Sequence, residues 1–319
     1  MRALFVQSGL IVGVWALWLL ALGVSGAWEV LQHHYPISLT MLLGSFVAGS
    51  TSVGGGAVAF PMFTKVLHID GQTALVFSLA IQSIGMTAAS LMIVVTRIPV
   101  NFRIIAYSSL AGGCGLLFGL LVLGTFVSGP DIKMIFSSFS LLVALALIWD
   151  RVRPQSVNDR IGGMTPNIPL LLIASFLGGI LSGLIGTGID FIIFTLMIFA
   201  WGYDLKVATA TSVVVMAINA MIGFAIILLV TDRFAGEVVS YWLAAVPIVI
   251  VGAPVGALAC RYLHRNVLFY FLLALIGLDV VSTVVILGIK LPYMAAIVSI
   301  IIAAIILERR RMMSESASN

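Results

Sequence analysis

The sequence predicts an all-α integral membrane protein of two inverted repeats, with two glycine-broken re-entrant hairpins and about eight full transmembrane helices. Three observations predict this. Of 319 residues, 61% are hydrophobic and only 9% charged, whereas soluble domains carry about a quarter charged residues. The apolar runs are long enough to cross about 30 Å of hydrocarbon as helices, and they lack the short alternation of an outer-membrane barrel. Finally, the stretch GSFVAGSTSVGGGAVAFP, Gly44 to Pro61, returns in weaker form as GGILSGLIGTGIDFIIF, Gly178 to Phe194. Glycine costs about 1 kcal/mol in a helix interior, so the run Gly54-Gly55-Gly56 marks a helix break at membrane depth. Laying Val53 to Gly56 on Ile185 to Gly188 brings Ala48-Gly49 onto Ser182-Gly183 after a two-residue gap, as expected of a tandem duplication.

Leu4 to Val24 reads as a first span, longer than the usual signal-peptide core and therefore retained as an anchor, although Ser25 to Ala27 resembles a cleavage site. A polar connection, Trp28 to Pro36, closes this N-terminal region (1–36). Repeat 1 (37–149) holds the first broken segment, Ile37 to Val66, and full spans near Ala74–Thr96, Ile104–Val127 and Ile132–Trp149. A linker rich in polar residues (150–167) carries Arg151, Arg153 and Arg160. Repeat 2 (168–289) restarts with the second broken segment, Ile168 to Trp201. Spans near Val207–Val230, Val238–Cys260 and Val267–Ile289 follow, before a last helix at Pro292–Leu307 and a short tail (290–319). Cys114 and Cys260 sit in apolar runs and read as buried small hydrophobes.

Charge placement argues for re-entrance. With both broken segments re-entrant and the N-terminus cytoplasmic, Arg2, Arg97, Arg103, Arg151, Arg153, Arg160, Lys206, Arg261, Arg265 and Arg309 to Arg311 lie inside. Lys65, Lys133, Arg233 and Lys290 lie outside, a division of 12 against 4. If both segments cross once, the better orientation gives 9 against 7, so the positive-inside rule favours re-entrance with both termini cytoplasmic. A rival with the N-terminus outside and only the second segment re-entrant gives 11 against 5; the repeat decides against it, because related segments should behave alike. Each repeat then has an odd number of full spans, and the halves are inverted. Non-helical backbone is tolerated at membrane depth only inside protein or along a watery cavity, so two opposed hairpins imply a buried polar site.

The chemistry of that site suits an anion. Free N–H groups at a mid-membrane half-helix and glycines that let an oxyanion approach form the candidate cradle: Gly54, Gly55 and Gly56 in the first loop, Gly183, Gly186 and Gly188 in the second. Hydroxyl and amide donors cluster around them: Ser50, Thr51, Ser52, Ser182 and Thr187 at the breaks, and Ser78, Gln82, Thr211, Ser212 and Asn219 on the following spans. Asp190 and Asp279 are carboxylates in apolar sequence, hence candidates to carry a coupling proton. No catalytic set, cofactor motif or metal-ligand spacing stands out, and H-E-x-x-H, G-x-S-x-G and Walker A sequences are absent. Gly186-Thr-Gly188-Ile-Asp190 with Tyr203-Asp204 looks superficially like an intramembrane aspartyl protease, but the order is reversed and Ile189 interrupts the motif. An anion channel is the nearer alternative to a carrier. The expected partners are a small anion and the lipid bilayer; the net charge of +4 records membrane orientation rather than nucleic-acid binding.

At these residues the chain resembles the TauE/SafE family of membrane proteins, over about Gly44 to Leu287. Ala48-Gly49, Val53 to Gly56, Pro61 and the run QTALVFSLAIQS from Gln72 to Ser83 match its first half; Ser182-Gly183, Ile185-Gly186, Gly188 and Lys206 to Ser212 match its second. Ile189 and Asp190 depart from the pattern where small or apolar residues are usual, and Ile193 replaces an expected proline. The resemblance implies a non-enzymatic secondary transporter of small sulfur-containing anions, such as sulfite or organosulfonates. It further implies a bacterial inner-membrane location, outward movement and coupling to an ion gradient.

Overall fold

The structure, a computed structural model, describes residues 2–51, 56–152 and 165–259 and scattered positions between 270 and 281. Among the described residues, ten α-helices follow in order: α1 (Arg2–His33), α2 (Tyr35–Ser50), α3 (Gly56–Pro61), α4 (Gly71–Val95), α5 (Phe102–Leu121), α6 (Gly129–Val152), α7 (Ile168–Ile185), α8 (Ile189–Thr195), α9 (Leu205–Val230) and α10 (Glu237–Ala259). Short π-helical turns, Met62–Val66 and Leu196–Ala200, extend α3 and α8. Among the described residues, six helices are long and apolar enough to cross a membrane. The protein is thus a multi-pass, all-helical membrane protein. The helices expected at Val267–Ile289 and Pro292–Leu307 fall mostly or wholly outside the described residues.

Two sequence expectations need correction. The connection expected at Trp28 to Pro36 is helical as far as His33, because the chain kinks at Gly23 (φ 69°) and resumes its helix rather than leaving it. Cys114 is exposed, not buried. It lies on the outer face of α5 among Leu110, Ile173 and Phe176, and in a membrane protein an outward face is itself apolar, so an apolar run does not imply burial.

The same features recur 134 residues apart. The π-turn at Met62 returns at Leu196, and the Asp70 cap of α4, accepting from Gln72 N at 2.8 Å, returns as Asp204, accepting from Lys206 N at 2.9 Å. This register holds from Gly49 and Gly183 onward, so the two-residue gap in the sequence alignment is unnecessary. Gly54 then corresponds to Gly188, Gly55 to Ile189 and Gly56 to Asp190.

Packing exchanges the two halves. α2 lies along α10 and α7 along α5, each pair held at backbone distance by glycines. A Cβ on Gly49 would strike the carbonyl of Ala253, and one on Gly256 the carbonyl of Phe46. Likewise, a Cβ on Gly183 would meet Leu116 O and one on Gly119 would meet Ile180 O. Each pair is parallel, since Ser38 meets Ala244 and Ser45 meets Gly252, while Gly112 meets Gly179 and Leu116 meets Gly183. α4 and α9 cross between them and run antiparallel. Leu79 of α4 packs against Gly223 of α9, whereas Asn101, just past α4, donates its backbone N–H to Thr211 Oγ1 early in α9, at 3.1 Å. α6 touches both broken segments, through Phe136 stacked on Phe60 and Phe139 edge-on to Phe191.

Among the described residues, α1 packs chiefly on α10 and, less extensively, on α4 and α2. Pro247 has no N–H, so Leu243 O loses its helical donor. Trp18 Nε1 supplies one at 2.8 Å, and Trp15 Nε1 reaches Pro247 O at 2.9 Å. One indole thus satisfies the carbonyl that the proline orphans, and both dock the helix.

Candidate functional site

The second break is built by two glycines that side chains would strain. Gly186 ends α7 at φ 80° and returns its N–H to Ser182 O at 2.9 Å; Gly188 follows at φ 136°. Both lie in the positive-φ region that glycine enters at little cost. The chain then folds back along α7. Ile189 donates its N–H to Ser182 Oγ at 3.2 Å and packs its backbone against Gly178, eleven residues upstream. Close approach is possible because Gly178 and, on α5, Gly112 have no side chains: Ile189 Cδ1 fills the space over Gly112.

Asp190 sits in the donors of its own loop. Its Oδ1 accepts from Gly188 N at 3.2 Å and from Thr187 Oγ1 at 3.5 Å, while Oδ2 has no partner among the described residues. The side chain is fully buried. At the second break, therefore, the backbone and hydroxyl donors expected to meet an anion meet the chain's own carboxylate.

Across from it, α4 presents Ser78 and Gln82 to the same turn. Gln82 Nε2 donates to Gly186 O at 2.7 Å and to Ser78 Oγ at 2.7 Å, and Ser78 Oγ donates to Gly186 O at 3.2 Å. The i, i+4 spacing that puts the two residues on one face thus serves a contact between the halves. Gly186 O is left free at the end of α7, as C-terminal helix carbonyls are, and α4 satisfies it.

The first break is differently filled. α2 ends at Ser50, Thr51 is extended (φ −137°, ψ 159°), and α3 opens at Gly56. Ser50 and Thr51 donate to Val47 O at 3.3 and 2.9 Å; Ser52, Gly54 and Gly55 lie outside the described residues. A cavity of ≈ 20 Å³ lies beside this break, between α2, α3, α4 and α10, with room for about one water. Ala48 before the break and Ala59 after it both line it, as do Ser45, Ser78, Gln82 and Met86. The chain therefore comes back along itself here too.

The remaining sequence candidates are mostly satisfied within their helices. Ser212 Oγ donates to Thr209 O at 2.9 Å, and Asn219 Nδ2 to Val215 O at 3.0 Å. Asn219 Oδ1 has no partner among the described residues and faces Gly112. Thr211 accepts from Asn101 N, and Asn101 Nδ2 donates to Tyr203 OH at 2.8 Å, tying the loop before α9 to the start of α5. Gly183 serves the α5–α7 crossing rather than the break itself. Asp279 lies outside the described residues. Sequence reasoning missed Ser45 and the role of Ile189. The first carries no motif, and the second becomes visible only when the 134-residue register pairs it with Gly55.

A family model described as Sulfite exporter TauE/SafE matches residues 37–286, which takes in both breaks and every described helix after α1 except the first two residues of α2. No curated protein and no solved structure matches the chain.

Proposed function

Because the chain belongs to the TauE/SafE sulfite exporter family, we propose that it is a secondary transporter moving small sulfur-containing anions, such as sulfite or organosulfonates, out of the cell by alternating access. In this reading residues 37–149 and 168–289 are inverted repeats around two re-entrant hairpins, with eight full spans in all and both termini cytoplasmic in a bacterial inner membrane. The single observation that carries the reading is the exchanged packing of the halves: α2 on α10 and α7 on α5, with α4 antiparallel to α9. Antiparallel α4 and α9 agree with the second break being re-entrant, since a single crossing there would make them parallel, and α2 parallel to α10 agrees likewise for the first. Two hairpins held by opposite halves let one half rock against the other about the α4–α9 crossing, the motion expected of inverted-repeat carriers.

The cargo site we propose lies at the first loop, from Ser50 to Gly56, beside the cavity lined by Ser45, Ser78 and Gln82. There the residues corresponding to Ile189 and Asp190 are glycines, Gly55 and Gly56, which carry no side chain to compete with an oxyanion for the backbone donors. The second loop, with Ser182, Thr187 and Gly188, positions Asp190, which would carry the coupling proton. Flux of labelled sulfite into proteoliposomes, with and without an imposed pH gradient, tests the reading. Accumulation against a concentration gradient supports a coupled carrier, strictly downhill flux supports a channel, and no flux of any sulfur anion overturns the proposal.

A further inference from the structure

We infer that the cargo carries a hydrogen-bond donor of its own, and that Gln82 reads it. The inference rests on the transport reading above and narrows its cargo. Gln82 is 5% exposed and lines the cavity at the first break. Its amide orientation is set by its neighbours: Gly186 O can only accept, so the nitrogen must face it, and the same nitrogen reaches Ser78 Oγ. Both amide protons are thereby committed, and Oε1 is buried with no partner among the described residues. An amide oxygen is an acceptor only, and leaving one buried and unpaired is costly. An anion that offers only lone pairs would worsen that arrangement, whereas one bearing an O–H or N–H would complete it.

Two cargo chemistries share this property: a singly protonated oxyanion such as hydrogen sulfite, and an organosulfonate with a hydroxyl or amino group. The described residues that line the cavity are uncharged; Asp190 belongs to the loop whose Gly186 O Gln82 contacts, so a dependence on cargo protonation is read with Asp190 replaced by Asn. The register adds an asymmetry. Met216 occupies the place of Gln82 in the second half, so only one of the two breaks is read in this way.

The test compares 2-hydroxyethanesulfonate with ethanesulfonate, which differ by one hydroxyl, in proteoliposomes of the full chain. A third arm measures sulfite at one pH where it is singly protonated and another where it is doubly ionised. The parent should carry the hydroxy compound about ten-fold faster than ethanesulfonate, in line with the cost of one unpaired buried acceptor. A faster sulfite flux at the lower pH that persists in Asp190→Asn identifies hydrogen sulfite as a second cargo of the same kind. Gln82→Met should bring the sulfonate ratio close to one by slowing the hydroxy compound. Gln82→Lys, which keeps donors for Gly186 O and Ser78 Oγ but removes the acceptor, should do the same even if the Met variant fails to insert. Equal fluxes of the two sulfonates in the parent, or an unchanged ratio in the Lys variant, overturns the inference while leaving transport intact. No flux of any of the three anions overturns the transport reading and the inference with it.

Discussion

The two breaks occupy corresponding places in the chain and carry opposite kinds of residue. At the second, Ile189 covers Gly112 and Asp190 takes the donors of its own loop; at the first, Gly55 and Gly56 stand at those positions and a small cavity lies alongside. In the second copy the side chains of Ile189 and Asp190 make the break a self-occupied turn, and in the first the sequence has only glycines at the corresponding positions.

The largest effect should come from erasing this difference. Gly55→Ile places in the first loop the side chain found in the second and should reduce sulfite flux to background, with normal membrane insertion and yield. Normal flux would mean that the first loop is purely structural. Helix contacts are the next level. Gly49→Ala and Gly183→Ala each add a Cβ against the backbone of the opposite half, at Ala253 and Leu116, and each should cost about 1–3 kcal/mol. Similar drops in thermal stability in detergent are expected if the two crossings are equivalent, and a large drop for only one would show that one pair dominates the frame.

Asp190→Asn probes the second loop alone. Asparagine keeps an oxygen for Gly188 N and Thr187 Oγ1 but cannot exchange a proton, so flux of a sulfonate, which does not itself titrate near neutrality, should lose its response to a pH gradient while downhill flux persists. A variant that still follows the gradient would remove Asp190 from coupling. The smallest effect belongs to the flank where α1 docks on α10. Trp18→Phe removes the donor to Leu243 O and should cost about 1 kcal/mol of stability, seen as a modest fall in melting temperature with unchanged transport.

Much of this was legible in the residues. Composition and run length announced a helical membrane protein because hydrocarbon leaves the backbone no other partner than itself. Gly54 to Gly56 and Gly186 to Gly188 announced the breaks because a helix interior disfavours glycine, and the described ends of α2 and α7 fall at those points. The kink at Gly23 was misread as an end, since local polarity near Trp28 says nothing about whether a helix resumes. Cys114 was misplaced for a related reason: hydropathy does not distinguish the core from lipid.

What the sequence determined by itself is the class, the family and the position of both breaks, all of which follow from local preference and solvent. Only the tertiary structure decided what each polar residue faces. Ser78 and Gln82 share a helix face by their spacing, but their partner is Gly186 O, more than a hundred residues away. Asp190 stands beside a break in the sequence, but only the reversal of the chain brings the Gly188 N–H and Thr187 hydroxyl to its Oδ1. Periodicity chooses the side of a helix; what lies against that side depends on how the halves pack, and here glycines on four helices let each half close on the other.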